Sequence, residues 1–279
     1  MKKKEEIIKF IRIFLIGLIL IYSLAPFLWT VITGIKSPDE VFRLPITYFP
    51  HKISFQNFKD VFGKRPFGTY ILNSLIVGIG GTGLAIVTGA IISFLLRYTH
   101  LEKALRIQRL MLIIAIIPPA LLVIPIFIGM SKLGLINNYM GLILTYSALN
   151  LPFAVWMLSA AFREIPKELD ESARIDGFSW LGILFKIIMP VSAPAVAATS
   201  ILVFIFCWNE FLLALTLMPD EAYYTVPVGI ALLSGSSIYE IPWGEICAAV
   251  TITTGPVILM VALLQRWIIE GLISGAVKR

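Results

Sequence analysis

The sequence predicts an all-α, polytopic membrane protein with six transmembrane helices and a bent pair of short cytoplasmic helices between the fourth and the fifth. Three observations carry this. The 279 residues are 58% hydrophobic and only 14% charged, against about 45–50% and about 25% in a soluble domain. An exterior that apolar aggregates in water but is at home in lipid. Six apolar runs reach the roughly 20 residues a helix needs to cross the hydrocarbon core, at 7–35, 70–96, 110–130, 139–162, 191–217 and 246–269. The basic residues fall in clusters between the runs, as membrane orientation signals do. Runs and connections together fill 1–279 and leave no room for a soluble domain, so a single membrane domain is expected.

The first run passes through Pro26 and Trp29 without a small-residue cleavage site. It is longer than the roughly 7–15 apolar residues of a signal peptide, so it reads as a retained helix. The connection 36–69 contains Pro38, Pro45, Pro50 and Pro66 among aromatics and is far longer than the about 2–8 residues usual between bundled helices. Such a segment is either a partner-binding surface or a packed plug. In the second run Gly78, Gly80 and Gly83 spell G-x-G-x-x-G, but a dinucleotide site needs a strand before it and a helix after it. Within a span, small residues instead let helices approach closely, and Gly81, Ala85, Gly89 and Ser93 repeat that device at four-residue spacing.

The fifth run carries Trp208, Asn209 and Glu210. A carboxylate beside an amide in a spanning helix marks a substrate path by default. Counted from Val191, Glu210 lies roughly 28 Å along the helix, near the outer interface where a carboxylate can also snorkel. The connection 218–245 holds a short apolar stretch, 225–233, broken by Pro227 and Gly229. It is too short to span, and a re-entrant or interfacial segment buried against protein fits it.

An even number of spans puts both termini on one side. Of the Lys and Arg residues, sixteen fall on the face holding the termini and the connections 97–109 and 163–190, including Lys2, Lys3, Lys4, Lys278 and Arg279, and seven on the other. That face is therefore cytoplasmic. The net charge of +6 comes without a basic groove or an aromatic platform, which argues against nucleic acid. Cys207 and Cys247 sit in apolar runs as small buried hydrophobes. His51 and His100 are isolated on opposite faces, and no G-x-x-x-x-G-K-[ST] loop occurs, so the residues support neither a metal site nor enzyme chemistry.

The segment 163–190 is the most informative. Pro166 suits the first helical position, where its missing N–H is no loss, and Glu168, Asp170 and Glu171 follow near the positive end of the helix dipole. Leu169, Ala173 and Asp176 share a face. Gly177 is placed to end the helix in a left-handed conformation. Ser179 can cap a second helix through Trp180, Leu184 and Ile188 to Pro190. Two short helices meeting at a bend form either a knob for a partner's cleft or an amphipathic element resting on headgroups.

At Glu171-Ser172-Ala173, through Gly177 to Ile187-x-Met189-Pro190, the chain resembles the EAA loop (E-A-A-x-x-x-G, nine residues, I-x-L-P) of ATP-binding-cassette (ABC) importer permeases, with Ser172 for the first Ala and Met189 for Leu. Asn73-Ser74-Leu75-Ile76-Val77, Ile117-Pro118-Pro119 through Ile124-Pro125, Lys132 to Asn137, Trp208 to Leu212, Tyr224 to Gly229 and the ending Gly271 to Arg279 extend the resemblance along nearly the whole chain. It is similar to the smaller, six-span permease of maltose-type sugar importers.

The resemblance implies a permease in a prokaryotic cytoplasmic membrane, surrounded by lipid and paired with a second permease. It also implies two copies of a cytoplasmic ABC ATPase, which would bind the ATP and magnesium that this chain does not. An extracytoplasmic sugar-binding protein would deliver a carbohydrate. Glu171, Ser172, Ala173, Asp176 and Gly177 would lie in the coupling helix that docks in the ATPase cleft. Trp208, Asn209 and Glu210 would lie on the sugar path. The alternative, a stand-alone ion-coupled transporter, would place ionisable residues near the bilayer midplane, whereas these runs carry almost none away from their ends.

Overall fold

The computed structural model describes residues 2–233 and 241–276. Lys278 and Arg279, and with them the end of the C-terminal motif, lie outside the described residues, as does 234–240. Every regular element among the described residues is helical. The chain forms two compact units, Met1–Phe67 with Ile230–Gly255, and Gly68–Gly229 with Pro256–Arg279.

Among the described residues, four helices are long and apolar enough to cross a membrane uninterrupted: α1 (Lys2–Gly34), α4 (Phe67–Arg97), α7 (Tyr139–Arg163) and α14 (Trp243–Ala276). The two remaining runs are bent pairs that bring the number of spans to as many as six. The expected single helix at 110–130 is instead α5 (Leu101–Ala115) and α6 (Pro119–Lys132), which meet at 92°. Pro118 and Pro119 cause the break, since two successive prolines withdraw two N–H groups and push the residue before each out of the helical region. Single prolines at 26, 125, 152 and 256 stay inside their helices.

In the first unit the connection after α1 is packed. It holds α2 (Pro38–Val41) and α3 (Gln56–Lys64). Asn57 donates to the carbonyls of Gly34 and Lys36 at 2.9 and 2.7 Å, which joins α3 to the end of α1. Buried Glu40 accepts from the Thr47 hydroxyl and from the backbone and ring of His51, and the His51 hydrogen bonds hold its carboxyl below the usual range. Lys64 pairs with Glu245 at the start of α14.

In the second unit α4 and α7 meet along the small-residue row. A Cβ on Gly89 would lie 3.0 Å from the Ala154 Cβ, and one on Gly81 3.2 Å from the Tyr146 Cβ. Ala85 is fully buried, and Ser93 donates to the Val155 carbonyl at 3.1 Å. Gly78 faces Phe204 and Gly80 faces Ile143, whereas Gly83 faces open space. The G-x-G-x-x-G string is therefore helix packing. At the end of α6, Gly134 adopts φ +67°, and the Leu135 and Gly134 N–H groups return to the Met130 and Ser131 carbonyls. This is a Schellman stop. Asn138 then caps α7 through the Met140 N–H.

The stretch 225–233 forms α13 (Val226–Leu233), eight residues with Thr225, Val226 and Val228 buried. Its entry is clamped by α4. Asn73 donates to the Ala222 and Tyr224 carbonyls, both at 2.9 Å, and the Ser74 hydroxyl accepts the Val226 N–H at 2.7 Å. Tyr139 donates to Asn73 at 2.7 Å and Tyr70 to Glu221 at 2.6 Å. The protein itself thus satisfies the backbone at the entry to this short helix, as irregular backbone kept from water requires.

Close helix approach predicts opposite outcomes at two glycines. Gly141→Ala drives a Cβ into the Leu135 carbonyl oxygen and should cost about 1–3 kcal/mol in thermal unfolding of the detergent-solubilised chain. Gly83→Ala meets nothing and should leave the transition unchanged or raise it.

Candidate functional site

The bent helix pair lies between α7 and the fifth run. α8 spans Lys167–Ile175. Pro166 takes the N-cap, one residue earlier than the sequence suggests, with extended backbone at φ −58° and ψ 140°. Gly177 has φ +84°, and the N–H groups of Phe178 and Gly177 return to the carbonyls of Ala173 and Arg174 at 3.0 and 3.1 Å. These bonds close a second Schellman stop. Ser179 caps the next helix by accepting the Gly182 N–H at 3.1 Å. That helix, α9 (Trp180–Ile183), runs through a π-helical turn (Leu184–Ile188) into α10 (Met189–Val191), and α11 (Ala193–Asn209) follows at 86°.

The pair presents one face and buries the other. Glu171, Ser172, Asp176 and Gly177 are exposed. Ala173 is 4% exposed and packs in a cluster with Ala90, Phe94, Leu158, Phe162 and Ile183. The buried stripe of α8 is Asp170 with Ala173. Leu169 and Asp176, expected to share the face of Ala173, are both exposed.

Arg97, Tyr98 and Asp170 form the joint that the sequence reading missed. Arg97, at the end of α4, donates from Nε to Asp170 Oδ2 at 2.8 Å, with both side chains 2% exposed. Its Nη1 reaches the Phe162 and Ile165 carbonyls, and Nη2 reaches the Pro166 carbonyl at 3.0 Å. One guanidinium thus covers the open carbonyls at the end of α7 and holds the start of α8. Tyr98 donates to the same Asp170 oxygen at 2.7 Å. Burial first, and then the Asp170 carboxylate, pushes its phenol up to about 12, so it remains a donor at neutral pH. Trp180 packs edge-on to Tyr98 and Phe94 with the Arg174 guanidinium over its ring. The sequence signal was present, because Arg97 falls at a span end and Asp170 on a short helix, but nothing in it pairs residues 73 positions apart.

The fifth run, expected to continue to residue 217, breaks where the second candidate cluster lies. α11 ends at Asn209, Glu210 is extended (φ −69°, ψ 128°), and α12 spans Leu212–Leu217. No proline causes this. The Glu210 carboxylate accepts the N–H groups of Leu213 and Ala214 at 2.8 and 3.0 Å, and the Tyr146 hydroxyl at 2.6 Å. Glu210 therefore caps the second half-helix with an acid at its positive end. Trp208 is 4% exposed and lies against Phe204, with ring centroids 5.6 Å apart. Asn209 is exposed, and its amide donates to the Ile205 carbonyl.

Two outcomes test these arrangements in denaturant titrations of the solubilised chain. Asp170→Ala should cost about 3–5 kcal/mol by leaving the Arg97 charge buried and unpaired, while the double change with Arg97→Ala should cost clearly less than the sum. Glu210→Ala should cost about 1–2 kcal/mol through the lost cap, and Asn209→Ala should be near neutral.

Comparisons with known proteins agree with this architecture. Residues 85–273 match the family described as "Binding-protein-dependent transport system inner membrane component". The chain is 36% identical over 279 residues to the trehalose/maltose transport system permease protein MalG of Thermococcus litoralis, covering 99% of both chains. It is 37% identical over 257 residues to the trehalose transport system permease protein SugB of Mycobacterium tuberculosis, covering 92% of this chain and 93% of that one. To the sulfoquinovosyl glycerol transport system permease protein SmoH of Agrobacterium fabrum it is 34% identical over 268 residues, covering 96% and 93%. The fold also matches a chain in the crystal structure of a bacterial ABC transporter that imports alginate, with a TM-score of 0.73 at 20% identity over 94% of this chain and 97% of that one. The chain belongs to the family of inner-membrane components of binding-protein-dependent transport systems, and is a multi-pass ABC importer permease, not an enzyme.

Proposed function

We propose that this permease forms half of the translocation path of a carbohydrate importer and that α8 is its coupling helix. The sugar assignment is supported by relatives named for trehalose, maltose and sulfoquinovosyl glycerol. One observation carries the coupling assignment. Glu171, Ser172, Asp176 and Gly177 are exposed on a short helix whose opposite face is fastened to α4 and α7 through buried Arg97 and Asp170. A partner pushing on that surface moves the ends of two spans with it, because the buried face leaves α8 no independent motion. Ala173 contributes from beneath, by keeping the helix seated.

The assembly is a second permease, two cytoplasmic ABC ATPases that bind ATP and magnesium, and an extracytoplasmic sugar-binding protein. Both termini and α8 face the cytoplasm, in keeping with the excess of Lys and Arg on that side. Residues 1–279 act as one permease domain, with 163–190 as its coupling segment. Trp208, Asn209 and Glu210 mark the sugar path. Support comes from the helix break at Glu210, since discontinuous helices line the binding sites of many transporters. Of the three, exposed Asn209 is the one positioned to meet a hydroxyl.

Affinity purification of the tagged chain from detergent, beside Glu171→Lys, tests the proposal. The wild type should bring down a second permease and an ATPase, and the variant should lose the ATPase alone. A wild type that purifies alone and moves solute in liposomes without ATP would overturn it.

A further inference from the structure

Beside the Arg97 joint lies a cavity of about 410 Å³. Arg97, His100, Arg163 and Lys167 contribute to its wall, Leu96 and Leu101 are among its apolar lining, and no lining residue is acidic. The basic side chains come from separate elements. His100 stands at the N-cap position of α5, Arg163 is the last residue of α7 and Lys167 the first of α8. Arg97 is matched by Asp170, whereas Arg163 and Lys167 have no carboxylate within salt-bridge reach among the described residues. Nη2 of Arg163 is buried and finds no acceptor among them. Glu164 and Glu168, the nearest acids in sequence, are exposed and outside the lining.

Native structures rarely leave a desolvated donor of a charged group without an acceptor. The helix end that would repel an anion here is already covered, because Arg97 takes up the Phe162, Ile165 and Pro166 carbonyls. We infer that this cavity is a binding site for a phosphate-bearing anion, held by Arg163 and Lys167 with His100 at the rim. The volume accommodates a phosphate and the short polar linker of a lipid headgroup, and the apolar lining at Leu96 and Leu101 is compatible with a lipid's shoulder. Basic pockets between spanning helices take up anionic headgroups by this chemistry, and free phosphate shares it. A bound anion bridges the α4–α5 turn, the end of α7 and the start of α8, and so stiffens the support of the exposed α8 face.

The test uses the full chain in phosphatidylcholine nanodiscs, with phosphatidylglycerol or inorganic phosphate titrated in and bound ligand counted by native mass spectrometry. The wild type should retain one phosphatidylglycerol in preference to phosphatidylcholine. Arg163→Gln with Lys167→Gln should weaken that retention roughly tenfold or more. Lys167→Gln alone, at an exposed position, should give part of the loss and guards against a misfolded double variant. Lys103→Gln, on the exposed surface of α5 and outside the cavity, should change nothing. Phosphate retained where phosphatidylglycerol is not would support the site with a free anion as its ligand. Equal loss in Lys103→Gln, or no preference for either anion, would overturn it. Loss of the anion on adding the partner subunits would overturn it in favour of a partner carboxylate filling the cavity.

Discussion

A lipid bilayer supplies no water to complete a broken helix, so each departure from regular helix has to be closed by the protein itself. Much of this chain follows from that constraint. The Glu210 carboxylate receives the N–H groups opened at the start of α12. The entry to α13 is received by Asn73 and Ser74. At the end of α7, burial within the protein imposes the same demand, and the Arg97 guanidinium covers three carbonyls while pairing with Asp170. A charge so deeply buried is stable only when its donors are spent on acceptors of this kind, and here those acceptors belong to two further elements. The polar residues that close the breaks are therefore also the ones that fasten the elements together.

The arrangement gives the short helix pair its mechanical character. A nine-residue helix is marginal alone in water, yet α8 is held by a Schellman stop, an apolar contact at Ala173 and the buried pair at Asp170. What is left exposed is a polar surface of Glu171, Ser172, Asp176 and Gly177. Small and acidic groups on a rigid support would lose little entropy to a docking partner. The cavity beside Arg97 lies at the same support, so an anion there acts on the mounting and leaves the contact surface itself untouched.

Glu210 shows how a residue singled out by its type can have an immediate structural task that the type does not reveal. A carboxylate in a spanning segment marks function by default, but its oxygens are here occupied by two backbone donors and Tyr146. That use also explains how a run without proline breaks. Cys207, by contrast, behaves as its setting suggests, as a buried apolar neighbour of the α4 glycine row.

The sequence by itself determined the membrane class, the apolar runs, the helix pair between the fourth and fifth runs and the glycine that stops α8. These are local properties, because hydropathy over about 20 residues, a proline or a glycine acts within its own segment. Tertiary structure decided which face of α8 is buried, since Leu169 has the more apolar side chain but Asp170 is the residue with a partner waiting at Arg97. It decided that the fifth run is discontinuous, because the break depends on a carboxylate folding back onto its own chain with Tyr146 beside it. It also placed Arg163 and Lys167 around one cavity with Arg97 and His100. Periodicity cannot express such pairings. They join residues dozens of positions apart, and only packing of the helices in three dimensions brings them within hydrogen-bond reach.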